Sequence, residues 1–142
     1  MAESSFRPEV RRALPAVIIL RFAINVAMRM TYTFLPAFAR GAGLSVESMS
    51  TALSARELTA LTAPITGKAS DRIGPLTIMS YGGLVAAAGL LIATLGAPGL
   101  IAGMLIFGFG RTAHQVAMGS WIGNVVAYER RGRATGLIEL TW

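Results

Sequence analysis

Several polar and charged residues stand inside stretches of the sequence that are otherwise apolar. They are Arg21, Asn25, Arg29, Tyr32, Arg56, Glu57, Arg111 and His114. Arginines can bind an anion, a carboxylate can accept a proton, and an imidazole can exchange one near neutral pH. A charged side chain in apolar surroundings is costly, so each is expected to face a water-filled path or a partner of opposite charge. We therefore predict that these residues line the pathway of a small solute or a proton.

The first group shares one face of a single predicted helix. At about 100° per residue, an arc of about 100° contains Arg21, Asn25, Met28, Arg29 and Tyr32. This arrangement is one polar stripe on an otherwise apolar helix, and it is suited to line a water-filled path. Arg21 lies nearer the cytoplasmic end, where its long side chain can extend towards the interface.

A second inference comes from depth, counted from the outer ends of the predicted helices. At about 1.5 Å per residue, Arg29, Glu57 and Arg111 each lie roughly 14–17 Å along the helix from its outer end. We expect a central cluster in which Glu57 pairs with Arg29 or with Arg111. Four arginines face one glutamate in these segments, so the missing negative charge is expected from absent helices, from Glu139 or from an anionic or zwitterionic substrate. Buried pairing that only holds helices together is an equally supported alternative.

His114 has two interpretations. It could relay protons, but a lone histidine in the middle of a helix is more often a packing residue, and packing is the favoured interpretation. The sequence has one histidine and no cysteine, and it shows no nucleophile–base pair, metal-ligand cluster or phosphate-binding loop. We predict that the protein is not an enzyme and uses neither a metal nor another cofactor.

The composition identifies the elements that must position these residues. Of the 142 residues, 54% are hydrophobic and only 14% are charged, with a mean hydropathy of +0.58. Soluble domains carry about 25% charged residues, so a soluble, disordered or disulfide-stapled chain is excluded. The net charge of +6 stands on too apolar a background to indicate a nucleic-acid partner. The expected fold is an all-α, polytopic bundle of membrane helices. Its expected partners therefore include the lipid bilayer that surrounds it.

The apolar stretches predict four complete transmembrane helices and the start of a fifth. The uncharged run from Leu76 to Gly110 is too long for one span, and Pro98-Gly99 predicts a tight turn within it. After residue 133 the apolar segment is about 13 Å long as a helix, too short to cross a bilayer, so the sequence is expected to end inside an element. The predicted spans cover residues 13–39, 46–67, 76–97 and 100–127, and the fifth begins at 134 and runs to 142.

Loop charges predict the orientation of these helices. Cytoplasmic loops carry an excess of lysine and arginine. One set of predicted loops has Arg40 as its only basic residue. The other set has eight, namely Arg7, Arg11, Arg12, Lys68, Arg72, Arg130, Arg131 and Arg133. We therefore predict a multi-pass protein of the cell membrane with a cytoplasmic N-terminus.

The loop between the second and third spans carries a recognisable motif. Its glycine Gly67 is expected to end a helix, Asp71 and Arg72 to form a charged hinge, and Gly74-Pro75 to begin the next helix. The simplest interpretation is a tight helix hairpin. The spacing G-x-x-x-D-R-x-G, placed on the cytoplasmic side between these two spans, resembles the signature loop of the major facilitator superfamily.

Other segments resemble the same superfamily. The run that begins Glu129-Arg130-Arg131 is similar to its loop between the fourth and fifth helices. Members have twelve spans in two six-helix halves. The resemblance covers nearly all of this chain but about a third of a full member. It implies that residues 1–142 are part of the N-terminal half, and that a C-terminal half is the missing partner.

The resemblance implies a function. It is that of a secondary active transporter that works by alternating access, with proton-coupled export of a small solute. In the family the signature loop is a conformational switch, here Gly67, Asp71, Arg72 and Gly74. Where members usually have two basic residues after the last glycine, this sequence has Pro75 and Leu76, so the resemblance carries over the role of Asp71 and not the basic part.

Two alternatives remain. One is a truncated, non-transporting membrane protein that only packs against other membrane chains. The other is a small four-helix exporter that works as a dimer, and it ranks last because its class needs a carboxylate in the first span. Gly119-x-x-x-Gly123 is predicted to be a close-packing helix face in any of these cases.

Overall fold

The computed structural model describes residues 7–141, in which helices are joined by short turns and no strand occurs. Seven α-helices and one 3-10 segment follow each other along this part of the chain. They are α1 (Pro8–Thr33), α2 (Leu35–Gly41), α3 (Val46–Glu57), the 3-10 segment (Leu58–Thr62), α4 (Ala63–Ile73), α5 (Pro75–Ile92), α6 (Gly96–Val125) and α7 (Tyr128–Glu139). The predicted all-α class is confirmed for these residues.

The first predicted span, residues 13–39, is two helices rather than one. The helix α1 begins at Pro8 and ends at Thr33, and α2 starts after a break at Phe34, where φ is −106° and ψ is 21°. Pro36 has no N–H, and its ring clashes with the carbonyl four residues earlier in a continuous helix. The break therefore places Tyr32 at the end of α1.

The second predicted span, residues 46–67, is also interrupted and runs further than expected. The 3-10 segment Leu58–Thr62 separates α3 from α4 just before Pro64. The prediction that Gly67 ends a helix is wrong, because α4 continues to Ile73. The helix ends at Gly74, whose φ of 102° suits a residue without a Cβ. Most of the signature motif is thus helical.

The turn between the third and fourth predicted spans lies earlier than Pro98-Gly99. The helix α5 ends at Ile92 and α6 begins at Gly96, whose φ is 77°. Pro98 lies in the first turn of α6, where a backbone N–H has no intrahelical partner, so it does not end the helix there. The last predicted element also begins earlier than residue 134, because α7 starts at Tyr128 and includes the basic run that the sequence predicts to be a loop.

Glycines bring α5 and α6 into direct backbone contact. Gly82 and Gly89 on α5 face Gly103 and Gly110 on α6. A Cβ added at Gly89 would lie 2.5 Å from the backbone nitrogen of Phe107, which is far inside normal contact. Small residues are the usual means by which membrane helices approach this closely.

The predicted close-packing face at Gly119 and Gly123 is wrong within residues 7–141. A Cβ added at either position would have no atom within 4 Å. No other described helix approaches closely at either glycine, although the carbonyl of Gly123 accepts a hydrogen bond from Nη2 of Arg131.

Two of the described helices are long and apolar enough to cross a membrane, Pro8–Thr33 and Pro75–Ile92. Neither α3 nor α4 is long enough by itself to cross a membrane, because the 3-10 segment Leu58–Thr62 separates them. The helix α6 has 30 residues, with Arg111 as its one charged residue. Two of the described helices thus qualify as membrane spans by length and composition, and the count of four with a fifth stays a prediction.

A candidate ion-pair site between three helices

Glu57 forms ion pairs on both of its carboxylate oxygens. Its Oε1 lies 2.7 Å from Nη2 of Arg56, and its Oε2 accepts a hydrogen bond of 3.1 Å from Nη1 of Arg111. Glu57 is the last residue of α3, while Arg111 lies midway along α6. Of the two pairings predicted for Glu57, the structure forms the one with Arg111. The contact with Arg56 was not predicted.

The hydroxyl of Tyr32 connects the first helix to this cluster. It accepts a hydrogen bond of 2.8 Å from Nη2 of Arg56 and donates one of 3.1 Å to Oε1 of Glu57. The guanidinium carbon of Arg56 also stands 5.1 Å from the centre of the Tyr32 ring, within the range of a cation–π contact. We name Tyr32, Arg56, Glu57 and Arg111 the Glu57 cluster.

Arg56 is completely buried, with a relative exposure of 0%, and small residues make room for it. A Cβ at Gly108 of α6 would lie 2.7 Å from Cγ of Arg56. Thr59 in the 3-10 segment donates 2.7 Å to the Arg56 carbonyl, and its hydroxyl lies 3.5 Å from that of Thr112. The tightened turn after α3 therefore holds Arg56 against α6. Its Nη1 is buried and has no hydrogen-bond partner within residues 7–141.

Exposure increases across the cluster from one end to the other. The side chain of Arg56 is 0% exposed, that of Arg111 22% and that of Glu57 45%. A cavity of about 300 Å³ opens beside Glu57 and Tyr32, and its remaining lining includes Ser50 and Ser54. Two guanidiniums and one carboxylate leave the cluster with a net charge of +1. The carboxylate thus separates a buried positive charge from an accessible cavity.

A second ion pair connects α1 to α7. The Arg21 side chain is 6% exposed, and its Nη2 lies 3.5 Å from Oε1 of Glu139. One turn along α1, Nδ2 of Asn25 donates 3.2 Å to the hydroxyl of Thr141. The structure therefore supplies a negative partner for Arg21 from Glu139, one of the three sources considered from the sequence.

The predicted polar stripe on α1 divides into two environments. Arg21 and Asn25 are buried, whereas Arg29 and Tyr32 are on the exposed part of the helix. The two halves serve different neighbours, because the buried half faces α7 and Tyr32 joins the Glu57 cluster. Arg21 is also repelled electrostatically by Arg111. The Arg21–Glu139 ion pair and the Glu57 cluster are therefore close enough to influence each other.

His114 is buried, with a relative exposure of 1%, and the structure does not bring it into the hydrogen bonds of the Glu57 cluster. It borders a cavity of about 110 Å³ between α1 and α5 that Ser80 also lines. The Met79 backbone lies beside the imidazole, but no described group meets hydrogen-bond geometry with either ring nitrogen. This placement matches a packing position between helices.

The four residues of the predicted switch lie along the end of α4. Gly67 is inside the helix, Asp71 and Arg72 are exposed on its last turn, and Gly74 ends it. The charged pair is therefore presented by a helix end and not by a loop. Among groups that could hold a metal, no cluster of three or more His, Cys, Asp or Glu occurs in the described part of the chain.

These observations define a class: an all-helical membrane protein with ionised side chains buried among its helices. The family model described as Major Facilitator Superfamily matches residues 15–142. The chain belongs to the Major Facilitator Superfamily, and the predicted resemblance is confirmed. No curated protein and no solved structure matches the chain. Members of this superfamily are membrane transporters and not enzymes, so the protein functions in membrane transport.

Proposed function

We propose that the chain is part of the N-terminal half of a secondary active transporter that exports a small solute by proton-coupled alternating access. The observation that carries this proposal is the Glu57 cluster. Its ionised groups come from α3 and α6 and the hydroxyl of Tyr32 joins them from α1, and an ionisable residue inside a membrane helix is by default a candidate for a functional site. A purely structural network would be expected to neutralise itself, and this cluster keeps a net charge of +1 with an accessible carboxylate.

The position of the cluster along the helices supports a site near the bilayer midplane. Arg111 lies midway along the 30 residues of α6, and Glu57 is separated from the start of α3 by about 17 Å at 1.5 Å per residue. Alternating access needs such a midplane site at the interface of two halves. A second helix bundle, contributed by further helices, would form the opposite wall of the cavity.

The signature residues give this proposal its switch. Asp71 and Arg72 are exposed on the last turn of α4, where they can contact a second bundle in one conformation and lose it in the other. The same arrangement requires the N-terminus and this helix end to share the cytoplasmic side, as the loop charges predict. The proposed location is the cell membrane.

Proton movement in inverted membrane vesicles tests the proposal. A pH-sensitive dye reports whether a preformed proton gradient changes when each of a panel of small carboxylates, amino acids and amines is added. We expect at least one solute to move protons in vesicles containing the protein. Glu57→Gln should abolish or uncouple this response, and Glu47→Gln on the exposed first turn of α3 should keep it.

A gradient that no solute changes, with the chain inserted in the vesicles, would refute the transport proposal. The result would favour the alternative of a membrane protein that only packs against other chains. Equal responses of both glutamine variants and the unaltered protein would instead remove Glu57 from the pathway.

A further inference from the structure

We propose that a crevice between α4, α5 and α6 binds one anionic phospholipid, with an acyl chain in the crevice and the headgroup phosphate beside Lys68 and Arg72. This inference goes beyond the proposed function. It needs the chain to lie in a membrane, but it does not need the chain to transport a solute.

The crevice is a cavity of about 320 Å³, and we name it the α4 crevice. Its lining includes Ile65 and Ala69 of α4, Tyr81 and Val85 of α5, and Phe109 of α6. Four of these side chains are large and exposed, so the crevice is open to the medium around the bundle. Because α5 is long and apolar enough to cross a membrane, that medium is the interior of the bilayer.

The threonines of the α4 crevice already have hydrogen-bond acceptors on their own helical segment. The hydroxyl of Thr62 donates 2.7 Å to the carbonyl of Thr59, and that of Thr66 donates 3.1 Å to the carbonyl of Thr62. Among the described residues, no charged side chain lines the crevice. A polar ligand would therefore find little to bind along α4, whereas an acyl chain supplies the dispersion contacts that an empty space lacks.

Two basic side chains lie between the α4 crevice and the membrane surface at which α4 ends. Lys68 and Arg72 are exposed on the last two turns of α4, and neither forms an ion pair within residues 7–141. Arg72 follows Ile65 by seven residues, which is about two helical turns and about 10 Å on the same side of α4. Side chains on a helix tilt towards its N-terminus, so both cations lean back towards the crevice.

Asp71 is the acidic neighbour of these two cations. Around the axis of α4 it lies about 100° from Arg72 and about 120° from Ile65, so it stands away from the crevice side. The crevice side of this helix end is therefore positively charged. A phosphate without a balancing ammonium is attracted there, whereas the ammonium of a zwitterionic headgroup is repelled by the same cations.

Tyr81 provides a hydrogen-bond donor at the rim of the α4 crevice. It is exposed, and it lies six residues after Pro75, about 9 Å along α5 from the turn that follows α4. Because α5 begins at the surface where α4 ends, the tilt towards the helix N-terminus brings the Tyr81 hydroxyl closer to the headgroups. Tyrosine is enriched at this level of membrane proteins. Its hydroxyl is placed to donate to an ester or phosphate oxygen of the lipid.

Native mass spectrometry of the purified chain, released from detergent micelles, tests the inference. The probes are phosphatidylglycerol, phosphatidylcholine and phosphatidylethanolamine with identical acyl chains. We expect the first phosphatidylglycerol to bind at least about fivefold more tightly than either zwitterionic lipid, a difference of about 1 kcal/mol. Equal affinity for the three lipids, or tighter binding of phosphatidylethanolamine, would overturn the inference without any variant.

Two matched pairs of substitutions locate the headgroup. Lys68→Gln together with Arg72→Gln should remove the preference for phosphatidylglycerol. Arg11→Gln together with Arg12→Gln removes the same charge from exposed positions near the start of α1 and should keep the preference. A loss in both double variants would assign the preference to the overall charge of the chain and contradict the site.

The acyl chain is located by filling the α4 crevice. We expect Ala69→Leu to weaken phosphatidylglycerol binding severalfold, and Ala87→Leu at an exposed position of α5 to leave it unchanged. Equal affinities of these two variants would place the acyl chain elsewhere.

Competition by glycerol 3-phosphate gives a second measurement that needs no variant. This compound has the charged phosphate but no acyl chain, so at a concentration equal to that of the lipid it should displace no phosphatidylglycerol. Displacement at that concentration would show that the chain binds the phosphate alone, and it would overturn the lipid site.

Discussion

Replacing Gly108 by alanine is a direct test of how the fold holds the Glu57 cluster. The added Cβ would lie 2.7 Å from Cγ of Arg56 and 2.7 Å from the Thr59 hydroxyl. The first distance is about 0.8 Å short of the roughly 3.5 Å at which carbon atoms attract each other. Arg56 cannot move by that much and keep its bonds of 2.7 Å to Glu57 and 2.8 Å to Tyr32.

The expected loss of unfolding free energy can be estimated by comparison with Gly119, a glycine on the same helix. Gly119 has no atom within 4 Å of an added Cβ, so Gly119→Ala changes helix propensity alone and stabilises by up to about 1 kcal/mol. Gly108→Ala gains the same propensity but suffers overpacking, which costs about 1–3 kcal/mol. The two variants should therefore differ by about 1–3 kcal/mol in their free energy of unfolding.

The assay is unfolding by SDS titration in mixed micelles. Gly108→Ala should be the less stable variant. Equal stability of the two alanine variants, within about 0.5 kcal/mol, would refute the claim that Arg56 is packed tightly against α6.

Three further predictions follow from particular contacts. Tyr32→Phe removes a hydroxyl that is bonded to both Arg56 and Glu57; because Arg56 keeps its direct bonds to Glu57, the change should cost about 0.5–1.5 kcal/mol in the same unfolding assay, and no loss would contradict this contact of the first helix with the cluster. Gly89→Ala should destabilise by about 1–3 kcal/mol more than Gly119→Ala, because its Cβ would meet backbone atoms of α6; an unchanged stability would contradict the direct α5–α6 contact. Single cysteines introduced at positions 9 and 43 of this cysteine-free chain should react with impermeant maleimide from opposite sides of the membrane; labelling from the same side would contradict the predicted orientation.

Depth along helices could be predicted from the sequence because the helical rise per residue is fixed. That regularity brought Glu57 and Arg111 to a similar depth, and the structure pairs them at 3.1 Å. Adjacent residues on a helix do not face each other, so no periodic argument predicted the contact between Arg56 and Glu57. It forms where α3 ends and the 3-10 segment begins.

Helix boundaries were the least predictable feature. Pro36 and Pro64 lie close to the breaks in the first two predicted spans. Pro98, in contrast, lies in the first turn of α6 and does not interrupt that helix. The same residue type therefore has opposite meanings, depending on whether a backbone N–H is needed at its position. Gly119 and Gly123 show a similar limit: a pattern of small residues describes one face and not the neighbour that would pack on it.

The central claim is that Glu57 belongs to the proton pathway of a transporter. Proton movement in inverted membrane vesicles, recorded with a pH-sensitive dye while a solute is added, measures this directly. At least one added solute should change the preformed proton gradient in vesicles that contain the unaltered protein or Glu47→Gln, and Glu57→Gln should eliminate this change. An equal response of Glu57→Gln and the unaltered protein would contradict the claim.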